Sequence, residues 1–206
     1  MRAARILIAV LRPILWLIFP YKVRGRENIP AKKEGQRLMI CANHLSLMDP
    51  VFLLLTMPQH IYFMAKEESF RPAIGRFFFG KVMGAFPIKR GEADRTALDT
   101  AMQIVDDGRV LGIFPEGTRS KTGEIGRFKS GAALIAAQTG ASVLPVSIYT
   151  KGGRVRPFKR SVITYGPVIT GEELWPEEGK PNLRHMTRVM KERVDALYEE
   201  GKAACR

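Results

Sequence analysis

Cysteine is scarce in this chain of 206 residues: Cys41 lies inside an apolar run and Cys205 is the penultimate residue. Two cysteines so placed make no disulfide framework, and a reducing cytosolic setting is the default. Histidine is nearly as scarce, with only His44, His60 and His185. Neither His-Glu-x-x-His nor paired Cys-x-x-Cys occurs, so no metal site is expected. Gly-x-Ser-x-Gly is missing too, which excludes the nucleophile elbow of the α/β-hydrolases. Acidic residues are outnumbered, 20 against 33 Lys and Arg, leaving a net charge of +13. That excess points to an anionic partner: nucleic acid, anionic lipid or a phosphorylated small molecule. Long apolar runs are also lacking. The best candidate, Ile6 to Phe19, is interrupted by Arg12-Pro13, whereas a spanning helix needs about 20 apolar residues.

With 46% hydrophobic and 26% charged residues, the chain is neither disordered nor collagen-like, and its length suits one domain. The N-terminus is not read as a secretory signal. Arg2 and Arg5 precede an apolar run, but Pro20-Tyr21-Lys22 offers no small-residue cleavage site. Residues 1–22 are instead expected to lie in a membrane interface, with Trp16 and Tyr21 at headgroup level. Arg2, Arg5, Arg12, Lys22, Arg24 and Arg26 would meet anionic lipid. The alternative is an N-terminal helix docked on the core. Residues 23–206 are expected to form the working domain.

Beyond Pro30 the pattern alternates between short apolar runs and amphipathic stretches. Strands are expected at Leu38–Ala42, Ile61–Met64, Phe86–Ile88, Val110–Phe114, Val143–Tyr149 and Val162–Tyr165. Helices are expected from Asp49-Pro50 through Leu55, over Glu67–Val82, from a cap at Asp94 to Asp106, and from a cap at Ser130 through Gln138. A long amphipathic helix follows from Leu183 to about Glu200. The alternation predicts an α/β fold in a single domain, with a largely parallel mixed sheet flanked by helices.

Gly75 to Val82 imitates a P-loop, but Val82 stands where Ser or Thr must hold magnesium. Phe77, Phe78 and Phe79, mixed with Arg71, Arg76 and Lys81, suit either a surface touching lipid or an acyl chain, or a helix packing its rings inward. His60 and His185 fit structural roles. His44 differs, because it follows a buried strand, and ligands of α/β sheets gather at the carboxyl ends of strands. Asp49, five residues on, can hold one ring nitrogen and leave the other to take a proton. The alternative is that Asp49 only caps a helix. Phe114 to Ser120 follows another apolar strand; Gly117 permits close approach of a ligand, and Thr118, Arg119 and Ser120 supply donors. Gly84 to Arg90 is a third short strand running into two cations.

These blocks together resemble the glycerolipid acyltransferase family. Asn43 to Asp49 resembles its His-x4-Asp block, Gly84 to Arg90 its second block, Phe114 to Ser120 its third and Val143 to Val146 its proline-containing fourth. The similarity runs roughly from Lys22 to Tyr165, and Phe-Pro-Glu-Gly-Thr-Arg looks most like the 1-acylglycerol-3-phosphate acyltransferases. The resemblance implies transfer of an acyl group from acyl-CoA or acyl-carrier protein to the sn-2 hydroxyl of lysophosphatidic acid, giving phosphatidic acid, with no cofactor. It implies His44 as general base oriented by Asp49, and Arg90 and Arg119 on the acceptor phosphate. Glu116, Gly117 and Thr118 would shape the acceptor pocket, and Lys129 would add a phosphate contact. Lys151, Arg154, Arg156, Lys159 and Arg160 would receive CoA phosphates or an acidic carrier, or form a solvated loop. Glycerol 3-phosphate or another lysolipid is the alternative acceptor. A basic nucleic-acid-binding protein is the non-enzymatic alternative, but the cations are interleaved with aliphatic runs and no RNA-binding aromatic signature occurs. The expected setting is therefore the cytoplasmic face of the cell membrane, peripheral or monotopic, with an anionic membrane surface and no nucleic acid as partner.

Overall fold

A computed structural model describes residues 2–31, 33–88, 95–175 and 181–205. In chain order the elements are α1 (Arg2–Ile18), β1 (Tyr21–Arg24), a 3₁₀ turn (Arg26–Asn28), β2 (Leu38–Ala42), α2 (Asp49–Thr56) and β3 (Ile61–Lys66). A 3₁₀ turn (Glu67–Phe70), α3 (Ala73–Gly75), a π-helix (Arg76–Val82), β4 (Ala85–Ile88), α4 (Arg95–Asp106) and β5 (Val110–Ile113) follow. The last elements are α5 (Gly131–Thr139), β6 (Ser142–Thr150), β7 (Ser161–Tyr165), α6 (Gly171–Leu174) and α7 (Leu183–Ala204). The expected cap at Asp94 lies outside the described residues.

The strands form one seven-stranded sheet in the order β1-β7-β6-β2-β5-β3-β4. Every pairing is parallel except β6 with β7, so β1 and β7 run opposite to the other five. The expected α/β architecture with a largely parallel mixed sheet is what forms. Its central strands are continuous apolar runs because both faces are covered. Met39 and Cys41 of β2 join Leu111, Val143 and the inner stripe of α4, α5 and α7. Leu38, Ile40 and Ala42 point the other way, to Phe52, Leu53, Leu144 and Ile163.

Several local expectations change. Pro13 does not end the first helix: α1 runs through it. Proline removes one helical hydrogen bond at a cost of about 3 kcal/mol or more, and packing against α2 and the π-helix supports the helix across that point. The face turned outward carries Val10, Ile14 and Leu17, four and three residues apart, with Trp16 beside them, while Leu15 and Ile18 are half-buried. Among the described residues no helix is long and apolar enough to cross a membrane. Tyr21 and Lys22 belong to β1, paired with Ser161 and Val162, and the Tyr21 ring tilts against Phe52 at 5.7 Å. The expected boundary after residue 22 thus falls inside a strand.

Glu67–Val82 is not one helix but three short pieces, the last a π-helix closed by Met83 N–H donating to Phe78 O at 2.9 Å. Gly75 and Gly80 lower the α-helical preference there, and the wide turn splits the three rings. Phe79 packs into the core, while Phe77 is 55% and Phe78 41% exposed. Inward packing therefore holds for Phe79, while Phe77 and Phe78 are left exposed. Ser130 occupies the N-cap position of α5, but its side chain makes no capping hydrogen bond.

Candidate active site

His44 leaves the end of β2, and three separate contacts hold it. Its ring Nδ1 lies 2.7 Å from Asp49 Oδ2. Its backbone N–H donates to Glu116 Oε1 at 2.8 Å, and its carbonyl accepts from Ser120 N–H at 2.8 Å. The ring stacks on Phe114 at 4.2 Å between centroids, and Phe114 stacks on Phe63 at 5.9 Å. Gly112 makes room for that stack, since a Cβ there would fall 2.4 Å from the Phe63 ring. With its side chain 14% exposed, His44 remains reachable from solvent while Asp49 is fully buried.

Asp49 does not cap α2. Met48 holds the N-cap position, Pro50 sits in the first turn, and the Asp49 carboxylate turns back toward the preceding loop. Its Oδ2 accepts from the N–H groups of Leu45 and Ser46, each at 2.6 Å, besides meeting His44. The carboxylate therefore shapes the very turn that returns His44 to it. Burial pushes the Asp49 carboxyl above the ordinary range, opposed by the His44 ring and by the N–H groups of Ser46 and Leu45. Bound to Nδ1, Asp49 orients the imidazole and leaves Nε2 as the nitrogen free to accept a proton.

Glu116 serves a different purpose from the one expected. Both its oxygens face inward, Oε1 to His44 N–H and Oε2 to Gly126 N–H at 2.9 Å. It clasps the loop that follows β5 to the histidine turn. Burial raises its carboxyl above the ordinary glutamate range, and the two backbone donors oppose the rise. Gly117 has φ +70, and a Cβ would come 3.0 Å from Lys129 Nζ. The Lys129 amine thus lies over Gly117, and the backbone N–H of Lys129 donates to Pro115 O at 2.9 Å. Thr118 and Arg119 are exposed beside it. Arg90 lies outside the described residues; Ile88 ends β4 on this same edge of the sheet.

His60 packs edge-on to Tyr62 at the other end of β3, and His185 sits in the first turn of α7. Neither joins His44. Among the described residues no group of three or more His, Cys, Asp or Glu is placed to hold a metal ion. Burial raises the Cys41 thiol well above its usual value.

Two positioning residues went unread in the sequence. Buried Asn43 exchanges hydrogen bonds with Ile148, donating to its carbonyl at 3.0 Å and accepting from its N–H at 2.7 Å, so β2 stays locked to β6 where His44 departs. An amide directly after five apolar residues was the available signal. Tyr198 of α7 donates to Gly123 O at 2.6 Å and steadies the loop after the third block; nothing local in the sequence announces it.

The Acyltransferase family model matches residues 20–149. The chain is 33% identical over 157 residues to a chloroplastic 1-acyl-sn-glycerol-3-phosphate acyltransferase of Brassica napus, covering 73% of this chain and 44% of that protein. It is 34% identical over 145 residues to a 1-acyl-sn-glycerol-3-phosphate acyltransferase of Borreliella burgdorferi, covering 68% and 56%. For the Bacillus subtilis protein of that name the figures are 30% over 194 residues, covering 91% and 92%. The matched region thus spans about half the length of the first two relatives and nearly all of the third. The crystal structure of the 1-acyl-sn-glycerophosphate (LPA) acyltransferase, PlsC, from Thermotoga maritima superposes with a TM-score of 0.74 at 26% identity, over 98% of this chain and 80% of that one. Motif order, sheet topology and these matches agree, and the chain belongs to the acyltransferase family.

Proposed function

We propose that this protein transfers a fatty acyl group from a thioester, acyl-CoA or acyl-carrier protein, to the sn-2 hydroxyl of 1-acylglycerol 3-phosphate, yielding phosphatidic acid. The observation that carries this reading is the His44–Asp49 pair, 2.7 Å apart at a strand end, with the Lys129 amine over the neighbouring Gly117. A hydroxyl is a poor nucleophile at neutral pH and needs a base as the bond forms. His44 Nε2 takes the hydroxyl proton while the oxygen attacks the thioester carbonyl. The tetrahedral intermediate then expels the thiolate, which recovers the proton from His44. Asp49 stabilises the imidazolium between the two steps. The thioester is already activated, so no acyl-enzyme is required, and Cys41, buried and held protonated, is not a nucleophile.

Arg119 and Lys129, with Arg90, hold the acceptor phosphate, for which an arginine fork is well suited. Glu116 acts by positioning His44, and Gly117 and Thr118 border the acceptor. The setting we assign is the cytoplasmic face of the membrane, with α1 lying in the interface. Purified protein assayed with acyl-CoA and acyl-carrier protein, against lysophosphatidic acid, glycerol 3-phosphate and an uncharged lysolipid, tests the reading. Phosphatidic acid from lysophosphatidic acid is the expected product. Preference for glycerol 3-phosphate would reassign the acceptor, and no acyl transfer at all would reject the proposal.

A further inference from the structure

The connection between β6 and β7, residues 151–160, carries Lys151, Arg154, Arg156, Lys159 and Arg160 and no acidic residue. All five cations are exposed. Strand pairing puts this loop on the edge of the sheet that bears His44. Thr150 at the end of β6 pairs with Ser161 at the start of β7, Ser161 pairs with Tyr21, and Asn43 grips Ile148 two residues before the loop's strand ends.

The loop is anchored at several points. Val155 packs against the core, and Gly153 lies so close to Gly123 that a Cβ on either would fall 2.4 Å from the other's Cα. Phe158 N–H donates to Ile18 O at 2.6 Å, and Ser161 N–H to Pro20 O at 2.9 Å, tying the loop to the end of α1. Lys159 N–H donates to Arg156 O at 3.2 Å, closing a turn with Pro157 and Phe158 at its centre. In the type II form of such a turn, which accepts proline at the second position, the third position takes positive φ, where glycine or asparagine is usual. Phe158 occupies it with φ 60 and is the only non-glycine with positive φ among the described residues. Its side chain is 74% exposed, more than Leu17 at 67% or Trp16 at 52%.

One residue thus combines a backbone conformation disfavoured for a bulky side chain with an apolar ring held out in water. Cations alone would suit nucleic acid or an acidic carrier protein. The ring asks for an apolar layer behind the negative charges, and it stands at the end of α1, where Trp16 and Leu17 are also exposed. We propose that the Phe158 turn is a second membrane contact. The ring enters the boundary between headgroups and acyl chains of an anionic leaflet, while Arg154, Arg156, Lys159 and Arg160 meet lipid phosphates. A single interfacial helix leaves the molecule free to roll about its axis. A second contact off that axis fixes the roll and turns the His44 edge toward the bilayer. This rests on the reading of the acceptor as a membrane lipid.

Co-sedimentation of the full chain with mixed phosphatidylcholine–phosphatidylglycerol vesicles tests it, using Phe158→Gly and Phe158→Trp. Glycine suits the left-handed backbone, so Phe158→Gly should keep or raise the unfolding midpoint. It should nevertheless lose about tenfold or more in vesicle partition, the effect of withdrawing one phenyl ring from an apolar layer. Phe158→Trp should keep its partition, and its added emission, taken as the difference from the parent, should shift to the blue on vesicles. Unchanged partition of Phe158→Gly, or an unmoved emission, overturns the proposal. A raised acyl-donor KM with unchanged partition does so too and assigns the turn to the donor. Partition needs no turnover, so the test separates from the acceptor reading. A parent that acylates lysophosphatidic acid while Phe158→Gly binds vesicles normally removes this inference alone. A partition loss in a protein that leaves lysophosphatidic acid untouched removes the acceptor alone.

Discussion

His44 and the outer stripe of α1 are held in opposite ways. His44 is held at its ring by Asp49, at its N–H by Glu116 and at its carbonyl by Ser120. Val10, Ile14, Trp16 and Leu17 instead turn apolar side chains outward. At the first place free energy goes into positioning a polar group inside the protein. At the second, apolar area stays unburied and is available to an external apolar phase. The proposed function uses both, and the difference implies that damage to the two regions should have different signatures.

The largest effect is expected at the fixed region. His44→Ala should lower turnover about 10²–10⁴-fold, the usual worth of a general base, while vesicle partition and unfolding midpoint stay near those of the parent. Asp49→Asn should follow it, because the neutral amide removes the negative charge that would stabilise the imidazolium. Retention of more than about a tenth of parental turnover in His44→Ala would end the general-base assignment.

The complementary change replaces Val10, Ile14 and Leu17 by serine. At roughly 1 kcal/mol or more for each apolar side chain withdrawn from the interface, vesicle partition should fall about 100-fold or more. Turnover on a dispersed short-chain acceptor should be spared. Raising the salt should weaken the parent's binding without abolishing it, since only the charge term is screened, over a Debye length of about 8 Å at physiological salt. If salt alone released the parent completely, α1 would be an electrostatic contact and not an apolar one.

Arg119→Ala should reduce acceptor kcat/KM about 10–150-fold, given roughly 1.5–3 kcal/mol for a hydrogen bond to a charged group, with the donor constant unchanged. A normal acceptor constant beside a raised acyl-CoA constant would move Arg119 to the donor side.

The smallest effect sharpens the comparison from within. Glu116→Gln offers one acceptor oxygen to two backbone donors, so the His44 or Gly126 N–H loses its partner. A loss of about 1–3 kcal/mol in denaturant unfolding is expected, with a fall in kcat and little change in acceptor KM. A purely acceptor-binding Glu116 would raise KM and leave stability unchanged.

The four motif blocks and the strand–helix alternation were legible because they are local. Short, mostly apolar runs between breakers mark buried strands, and His44 and Asp49 are close enough in sequence for one turn to bring them together. The role of Glu116 was not legible, since its partners are the backbone N–H groups of His44 and Gly126, and a backbone donor has no identity in a sequence. β1 was missed because Tyr-Lys-Val-Arg has the aromatic and basic character of an interface anchor; its partner strand β7, where Ser161 pairs with Tyr21, lies far along the chain. The contact of Lys129 over Gly117, only twelve residues apart, was hidden because the path of the intervening loop and not its length brings the amine there.

Composition, periodicity and short-range spacing by themselves determined the α/β class, the basic character, the strand ends that carry chemistry and the candidate pair His44 and Asp49. Each depends on residues a few positions apart, where hydrophobic period and turn geometry decide the outcome. Only the tertiary structure decided that Asp49 turns back instead of capping α2, and that Glu116 clasps the histidine turn. It alone selected the outward stripe of α1 and set the Phe158 turn beside that helix on the edge that bears His44. Apart from Asp49, whose partners lie three to five residues away, these follow from pairing and packing between segments far apart in the chain, and backbone hydrogen bonds and burial between distant segments leave no local pattern to read.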